Sequence, residues 1–186
     1  MAAKTNCDNL FSYFQLCGKL KHLPRTGWVL RGVPQPENVA GHMYRMAMMS
    51  LLFTSNDGVD RDKCMRMCLA HDLAESIVGD ITPSDGIPKE EKYSREKKAL
   101  EHISTLISQE VGQEITALWV EYEEGSTPEA MLVKDLDRFD MILQAHEYES
   151  EHQQLQLQEF FDSTKGKFQT DTVKKWVEHL QTIRNK

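Results

Sequence analysis

Ionisable residues interrupt several helical stripes of this sequence that are otherwise apolar. On each of three segments, apolar side chains recur at i, i+3 and i+4, the spacing of an inward-facing helix face. The stripe positions that carry an imidazole or a carboxylate are His42, His71, Asp72 and Asp137, and Glu75 extends the stripe of His71 by one turn. Burying such groups is costly unless they are paired or bind a cation. Their positions therefore indicate a chemical role.

Two imidazoles and two carboxylates make a mixed nitrogen and oxygen donor set. Such a set suits Mn²⁺, Fe²⁺, Co²⁺ or Zn²⁺, whereas Mg²⁺ generally prefers oxygen ligands. Each residue also has an ordinary alternative. A lone buried His42 can be hydrogen-bonded in a core, and Asp137 can pair with Arg138. The doublet His71-Asp72 can lie at a solvated helix end. The combination of residue types favours one divalent-metal site.

Helical periodicity dominates the segments that must position these groups. Patterns with a period of 3.6 predict helices, and no alternating pattern typical of strands is present. The predicted helices cover 8–23, 38–54, 61–76, 90–110, 112–124, 128–150 and 171–184. Proline and glycine predict non-helical segments at 24–37 and 79–88. We expect a single all-α domain over residues 1–186.

Composition and charge argue against several functional classes. The 186 residues are 40% hydrophobic and 27% charged, which is typical of a globular domain. A net charge of −7 argues against charge-driven binding to duplex nucleic acid. The amino terminus lacks a secretory pattern, and no apolar run approaches the roughly 20 residues of a membrane span.

The four cysteines indicate a reducing compartment, because their spacing does not suggest a disulfide scaffold. Cys64 and Cys68 stand one helical turn apart, which favours two buried thiols over a metal pair. We expect an intracellular protein. The cytoplasm is the favoured compartment, and the nucleus and the mitochondrion stay open.

The order His42, then His71-Asp72, then Asp137 resembles the H…HD…D pattern of the HD-domain metal-dependent phosphohydrolases. The segments PENVAGHMYRMAMM, LAHDLAESIVGDITP and VKDLDRFDMILQAHEYE are similar to the 5′-deoxynucleotidase branch of that family. The resemblance covers about residues 8–165 and leaves the predicted C-terminal helix at about 171–184 outside it. It implies an all-α HD-type helical bundle, usually dimeric. The implied activity is metal-dependent removal of phosphate from deoxynucleoside 5′-monophosphates.

The same resemblance implies roles for individual residues. The implied metal ligands are His42, His71, Asp72 and Asp137. Glu75 matches a general base or water-orienting residue of the family. Asp80 matches a catalytic residue or, with Glu75 and the Ile81 carbonyl, a ligand of a second cation. The native metal stays open among Mn²⁺, Co²⁺, Mg²⁺, Fe²⁺ and Zn²⁺.

The segment from Arg25 to Arg31 is expected to bind the substrate. A phosphate dianion in a protein of net charge −7 needs local cations besides the metal. An arginine can bind phosphate through two parallel N–H groups. The family places an essential arginine in this segment, and Arg25 is the better match, with Arg31 as the alternative. Trp28 can stack on a nucleobase or can be a partly buried anchor.

Two other functions stay open from the sequence. A cyclic-nucleotide or nucleoside-triphosphate hydrolase of the same superfamily would keep the metal and change the substrate. A non-enzymatic helical interaction module would use the acidic segment from Glu147 to Glu159 for docking, although this segment can equally close the bundle or form a dimer face. We expect a nucleotide substrate and a homodimer, with no membrane and no duplex nucleic-acid partner.

Overall fold

The structure is a computed structural model that describes residues 6–185. Its regular elements within that range are helices. Within that range the α-helices are α1 (Cys7–Leu20), α2 (Thr26–Val29), α3 (Val39–Ser50), α4 (Arg61–Ala70), α5 (Glu75–Val78), α6 (Lys89–Thr105), α7 (Gln109–Glu124), α8 (Pro128–Glu151), α9 (Gln158–Thr164) and α10 (Asp171–Arg184). Short 3-10 turns lie at Ser55–Asp57 and Pro83–Asp85. The all-α prediction is confirmed. None of the described helices is both long and apolar enough to cross a membrane.

The described residues form two compact units. One comprises the chain up to Tyr44 together with Leu69–Glu121, and the other comprises Arg45–Cys68 together with the chain from Tyr122 onward. The boundaries between the units fall within α3, α4 and α7, so each of these helices contributes residues to both units. The first unit contains all of the predicted site residues except Asp137.

Apolar side chains from α1, α3, α6 and α7 form the core of the first unit. The buried members are Leu16, Leu20, Val39, Met43, Leu73, Ala74, Ala99, Leu100, Ile103, Leu106 and Trp119. The short helix α5 packs against both α1 and α6. Burying one large aliphatic side chain stabilises a fold by about 1.5–3 kcal/mol. The core therefore holds rigidly the segment 71–78, which carries three of the predicted site residues.

In the second unit, α8 packs against α9 and α10. The ring centroid of Trp176 on α10 lies 5.7 Å from the ring centroid of Phe53 and 5.5 Å from that of Phe139. The buried carboxylate of Asp135 accepts hydrogen bonds from the backbone N–H groups of Gln169 and Thr170, at 2.8 and 2.6 Å. Gln169 and Thr170 directly precede α10, so Asp135 anchors the segment that leads into this helix.

The acidic segment 147–159 folds back onto α10. Glu149 accepts from the Leu157 N–H at 2.7 Å and from the Arg184 guanidinium at 2.7 and 2.9 Å. Leu157 and Phe161 are buried. Of the roles that the sequence left open for this segment, closing the helical bundle is the one that this packing favours.

Cys64 and Cys68 are buried, reduced thiols, as their apolar stripe predicts. Burial is the main reason that the pKa of each thiol is raised, that of Cys64 to about 12. Both residues therefore stay protonated and unreactive at neutral pH.

The predicted helix over 61–76 is wrong in one respect, because α4 ends at Ala70. A turn follows, and α5 begins at Glu75. The N–H groups of Leu73 and Glu75 bond to the carbonyls of Ala70 and Asp72, three residues back rather than four. Such a tightened turn changes the direction of successive side chains, and it is where His71 and Asp72 lie.

Two helices lie where none was predicted. Helix α2 occupies one turn of the segment 24–37. Helix α9 is seven residues long and begins at Gln158, near the end of the acidic segment. Pro24 and Pro34 flank α2 without entering it, and burial of Trp28 stabilises the turn. A single turn is too short to show an apolar period in the sequence.

Candidate active site

Three predicted metal ligands converge in the first unit. The imidazole nitrogens of His42 and His71 and a carboxylate oxygen of Asp72 all lie within 4.8 Å of one another. Asp72 Oδ2 is 3.8 Å from His42 Nε2 and 3.1 Å from His71 Nε2. The centroids of the two imidazole rings are 5.5 Å apart, and the ring planes are inclined to each other by 66°. We call His42, His71 and Asp72 the donor cluster.

Helix α3 fixes the position of His42. Asn38 precedes this helix, and its side-chain oxygen accepts the Gly41 N–H at 2.8 Å, as an N-cap does. Val39 and Met43 on the same helix belong to the core of the first unit. His42 is fully buried among these apolar residues.

The environment of Asp72 keeps its carboxyl group ionised. Burial alone would raise the pKa of this group, but the neighbouring His71 opposes that effect most strongly, followed by His42 and Arg25. The net result is a pKa well below the usual range of an aspartic acid. An anionic oxygen beside two imidazole nitrogens is a donor set that fits a borderline divalent cation such as Mn²⁺, Fe²⁺, Co²⁺ or Zn²⁺.

Glu75 occupies the first position of α5 and is buried. Its Oε2 atom has no hydrogen-bond partner among residues 6–185. Burial raises the pKa of Glu75 well above its ordinary value, and the negative charges of Asp72 and Asp80 raise it further. Arg25 and Lys92 act in the opposite direction. A carboxyl group whose pKa is raised in this way binds a proton more readily than an exposed glutamate does.

A backbone bridge directs Arg25 towards the donor cluster. Pro24 and Asn38 form an antiparallel bridge in which the Arg25 N–H donates to the Glu37 carbonyl at 3.0 Å. The Arg25 guanidinium reaches Asp72, with Nη1 3.5 Å from Oδ2. Its Nε lies 4.0 Å from the Glu37 carboxylate. The structure thus brings Arg25 to the metal ligands, 47 residues away in the chain.

Asp80 holds the start of α2. Its Oδ2 accepts the Thr26 N–H at 2.6 Å, and its carbonyl accepts the Thr26 hydroxyl at 2.8 Å. Gly79 precedes it with φ +80, a conformation that L side chains rarely adopt. Ile81 follows and is buried. In this geometry Asp80 fixes the segment that carries Arg25.

Trp28 and Arg31 differ from Arg25 in their surroundings. Trp28 is 1% exposed, and its indole N–H donates to Glu37 at 3.0 Å. This burial favours the anchor role of the two that the sequence left open, and stacking on a nucleobase stays a prediction. Arg31 lies half-buried in the turn that follows α2, and Arg25 is the arginine that reaches Asp72.

Asp137 lies on α8 in the second unit, half-buried. The Tyr122 hydroxyl donates to its Oδ2 at 2.8 Å. A hydrogen bond of this kind orients a carboxylate, as the outer partners of metal ligands commonly do.

Comparison with known proteins adds to this geometry. A family model described as the HD domain matches residues 17–176. The chain belongs to the HD-domain family. It is 51% identical to the 5′-deoxynucleotidase HDDC2 of Dictyostelium discoideum, over 95% of this chain and 99% of the relative. It is 47% identical to the mouse protein of the same name, over 100% and 93%. A crystal structure of the PH0347 protein of Pyrococcus horikoshii superposes with a TM-score of 0.76 at 31% identity, covering 94% and 98%.

Two residues of this HD-domain site were missed in the sequence. The Glu37 carboxylate accepts the indole N–H of Trp28 and lies against Arg25. The sequence did not indicate this role, because Glu37 lies in a proline-bounded segment without a helical period. Lys92 lies on α6 in a stretch of mixed charge, a pattern that is typical of a solvated helix face. Glu96, one turn later, precedes Ala99 and Leu100 by three and four residues, and this position on an apolar stripe is the sequence signal for a buried carboxylate.

Proposed function

We propose that this protein is a divalent-metal-dependent 5′-deoxynucleotidase that hydrolyses deoxynucleoside 5′-monophosphates to deoxynucleosides and phosphate. The observation that carries the proposal is the convergence of His42, His71 and Asp72 within 4.8 Å, beside a buried glutamate and an arginine. The names of the relatives, at 47–51% identity, support the same activity.

The donor cluster would hold the cation, and Asp137 is the fourth ligand that we propose. When bound, a divalent ion supplies Lewis-acid polarisation of the phosphoryl group and acidifies water. Phosphate-monoester hydrolysis is among the slowest uncatalysed reactions, so such assistance suits the reaction. For Asp80 the proposal keeps two alternatives: a catalytic role, or binding of a second cation together with Glu75 and the Ile81 carbonyl.

Glu75 is the proposed general base. Its carboxylate would take a proton from the attacking water as the new bond to phosphorus forms and the bond to the 5′ oxygen breaks. The buried position of Glu75 beside Asp72 and Asp80 favours proton uptake. Proton transfer by a positioned side chain typically contributes about 10²–10⁴-fold to the rate.

Arg25 is the proposed phosphate-binding residue. Its guanidinium lies at the donor cluster, and a planar fork of N–H groups matches two phosphate oxygens. Asp80 and Glu37 position it: Asp80 holds the backbone of Thr26, and Glu37 lies against the Arg25 guanidinium itself. Arg31 is a proposed secondary contact.

A substrate panel tests this function. Phosphate release is measured from deoxynucleoside 5′-monophosphates, ribonucleoside 5′-monophosphates, deoxynucleoside 3′-monophosphates, a cyclic nucleotide and a triphosphate, with Mn²⁺, Co²⁺ or Mg²⁺ added. We expect the highest kcat/KM for the deoxynucleoside 5′-monophosphates. A preference for the cyclic nucleotide or the triphosphate would favour the rival hydrolases, and no hydrolysis with any metal would contradict an enzymatic role. The homodimer and the cytoplasmic location stay predictions.

A further inference from the structure

Helix α6 brings a lysine into the neighbourhood of the donor cluster. It packs against α5, the helix that begins at Glu75. Lys92 lies one turn into α6, with its Nζ 3.6 Å from Glu96 Oε1 on the following turn. The side chain of Glu96 is 7% exposed, whereas that of Lys92 is 39% exposed. The ammonium group is thus tethered to a buried carboxylate and still accessible to solvent.

The charges around Lys92 are those of the proposed site. Burial would lower its pKa, but the negative charge of Glu96 raises it, followed by those of Glu75, Asp72 and Asp80. The net shift is upward, so Lys92 stays cationic at neutral pH. The positive charge of Lys92 therefore interacts with the carboxyl groups of Asp72, Glu75 and Asp80. Arg25 and Lys92 are both cations that lower the pKa of Glu75.

A phosphate dianion that enters this site must approach Asp72, Glu75 and Asp80. These carboxylates repel it, and repulsion is strong where solvent screening is reduced. A partly exposed ammonium nearby offsets the repulsion and can contact a phosphate oxygen as a point charge. The buried position of Glu96 is explained by the same role, since burying a carboxylate is costly without a cationic partner.

On the basis of the proposed phosphomonoesterase function, we propose that Lys92 is a second phosphate-binding residue and that Glu96 is the positioning residue that holds its ammonium. Arg25 supplies a planar fork, and Lys92 supplies a point charge that Glu96 holds in place.

The test uses inorganic phosphate as the probe on the metal-loaded full chain. We expect Lys92→Met to weaken phosphate affinity about tenfold, the typical loss of one charge-assisted hydrogen bond. KM for a deoxynucleoside 5′-monophosphate should rise with it. Metal content and the affinity for the phosphate-free deoxynucleoside should not change. Lys98→Met, at an exposed lysine of the same helix, is the matched control and should leave all four quantities unchanged.

Two further variants separate phosphate binding from a structural role. Lys92→Arg keeps the charge and should retain most of the phosphate affinity. Glu96→Gln keeps the shape of the anchor but removes its charge, and should weaken phosphate binding less than Lys92→Met does. If Lys92→Met folds poorly, Lys92→Gln serves in its place.

The proposal is overturned if the Lys92 variants bind phosphate within twofold of wild type, or if they lose deoxynucleoside affinity equally. Failure of the proposed function gives a different result. In that case the wild-type protein hydrolyses no monophosphate, while phosphate binding still reports on Lys92.

Discussion

The cost of burying charge governs the individual residues of this site. His42 and His71 are buried, and Asp72 Oδ2 lies 3.8 and 3.1 Å from their Nε2 atoms. Removing one member of such a cluster leaves the other buried polar groups without their compensating interactions. This loss lowers the stability of the fold more than replacing the whole cluster with apolar side chains would. The side chains that we propose as metal ligands are therefore also side chains on which the stability of the fold depends.

Glu75→Gln tests the proposed general base. The substitution removes the proton acceptor and keeps the shape of the side chain. We expect kcat to fall about 100-fold or more, because proton transfer is lost, while the primary metal at the donor cluster stays at the wild-type level. Steady-state kinetics and elemental analysis check the two expectations.

The matched control for this variant is Glu90→Gln, at an exposed position of α6. It should keep wild-type turnover. Turnover of Glu75→Gln within about threefold of wild type is too small an effect for a lost general base and would remove that role.

Arg25→Lys tests the phosphate fork. Lysine keeps the charge but loses the planar pair of N–H groups. We expect kcat/KM to fall at least tenfold, which is about 1.4 kcal/mol of transition-state stabilisation, with metal content unchanged. Arg31→Lys should have the smaller effect in the same assay. A sensitive Arg31 with a tolerant Arg25 would reassign the phosphate ligand to Arg31.

At the scale of elements, two single-turn helices and the turn at 71–74 place the site residues. Helix α2 carries Trp28 into the core while the Asp80 carboxylate holds its first N–H. Helix α5 places Glu75 immediately after the turn that presents His71 and Asp72. Short elements of this kind are held by tertiary hydrogen bonds rather than by their own propensity.

The sequence predicted the long helices because their apolar period extends over several turns. It also predicted that His42, His71 and Asp72 lie together, since their stripes point inward. It did not predict the break after Ala70, because the tighter bonding of the turn leaves no compositional trace. The role of Asp80 in holding Thr26 depends on a contact across 54 residues, which a local pattern does not contain.

Asp135→Ala tests how α10 is attached. The variant removes the acceptor of the Gln169 and Thr170 N–H groups, and we expect the free energy of unfolding to fall by about 2 kcal/mol. Urea denaturation measures it. Asp171→Ala is the control, because Asp171 is exposed and its carboxylate pairs with Lys174 on the surface of the same helix. That variant should change stability by less than about 0.5 kcal/mol, and equal losses would show that Asp135 does not anchor the start of α10.

At the scale of the whole molecule, a protein of net charge −7 must bind an anion at a cluster of carboxylates. In our proposal, local cations resolve this conflict: a divalent ion at the donor cluster, with Arg25 and Lys92 beside it. The HD-domain match over residues 17–176 extends across segments of both compact units. The ion also links activity to stability, because a ligand that binds only the folded chain stabilises it by mass action.

Removal and return of the metal tests the central claim most directly. Phosphate release from a deoxynucleoside 5′-monophosphate is followed in wild type and His71→Ala after chelation and then during titration with Mn²⁺ or Co²⁺. We predict that chelation abolishes the wild-type activity and that added metal restores it, whereas His71→Ala keeps its helical circular dichroism but recovers almost no activity. Wild-type activity that survives chelation, or a His71→Ala protein that recovers fully with metal, would contradict the account.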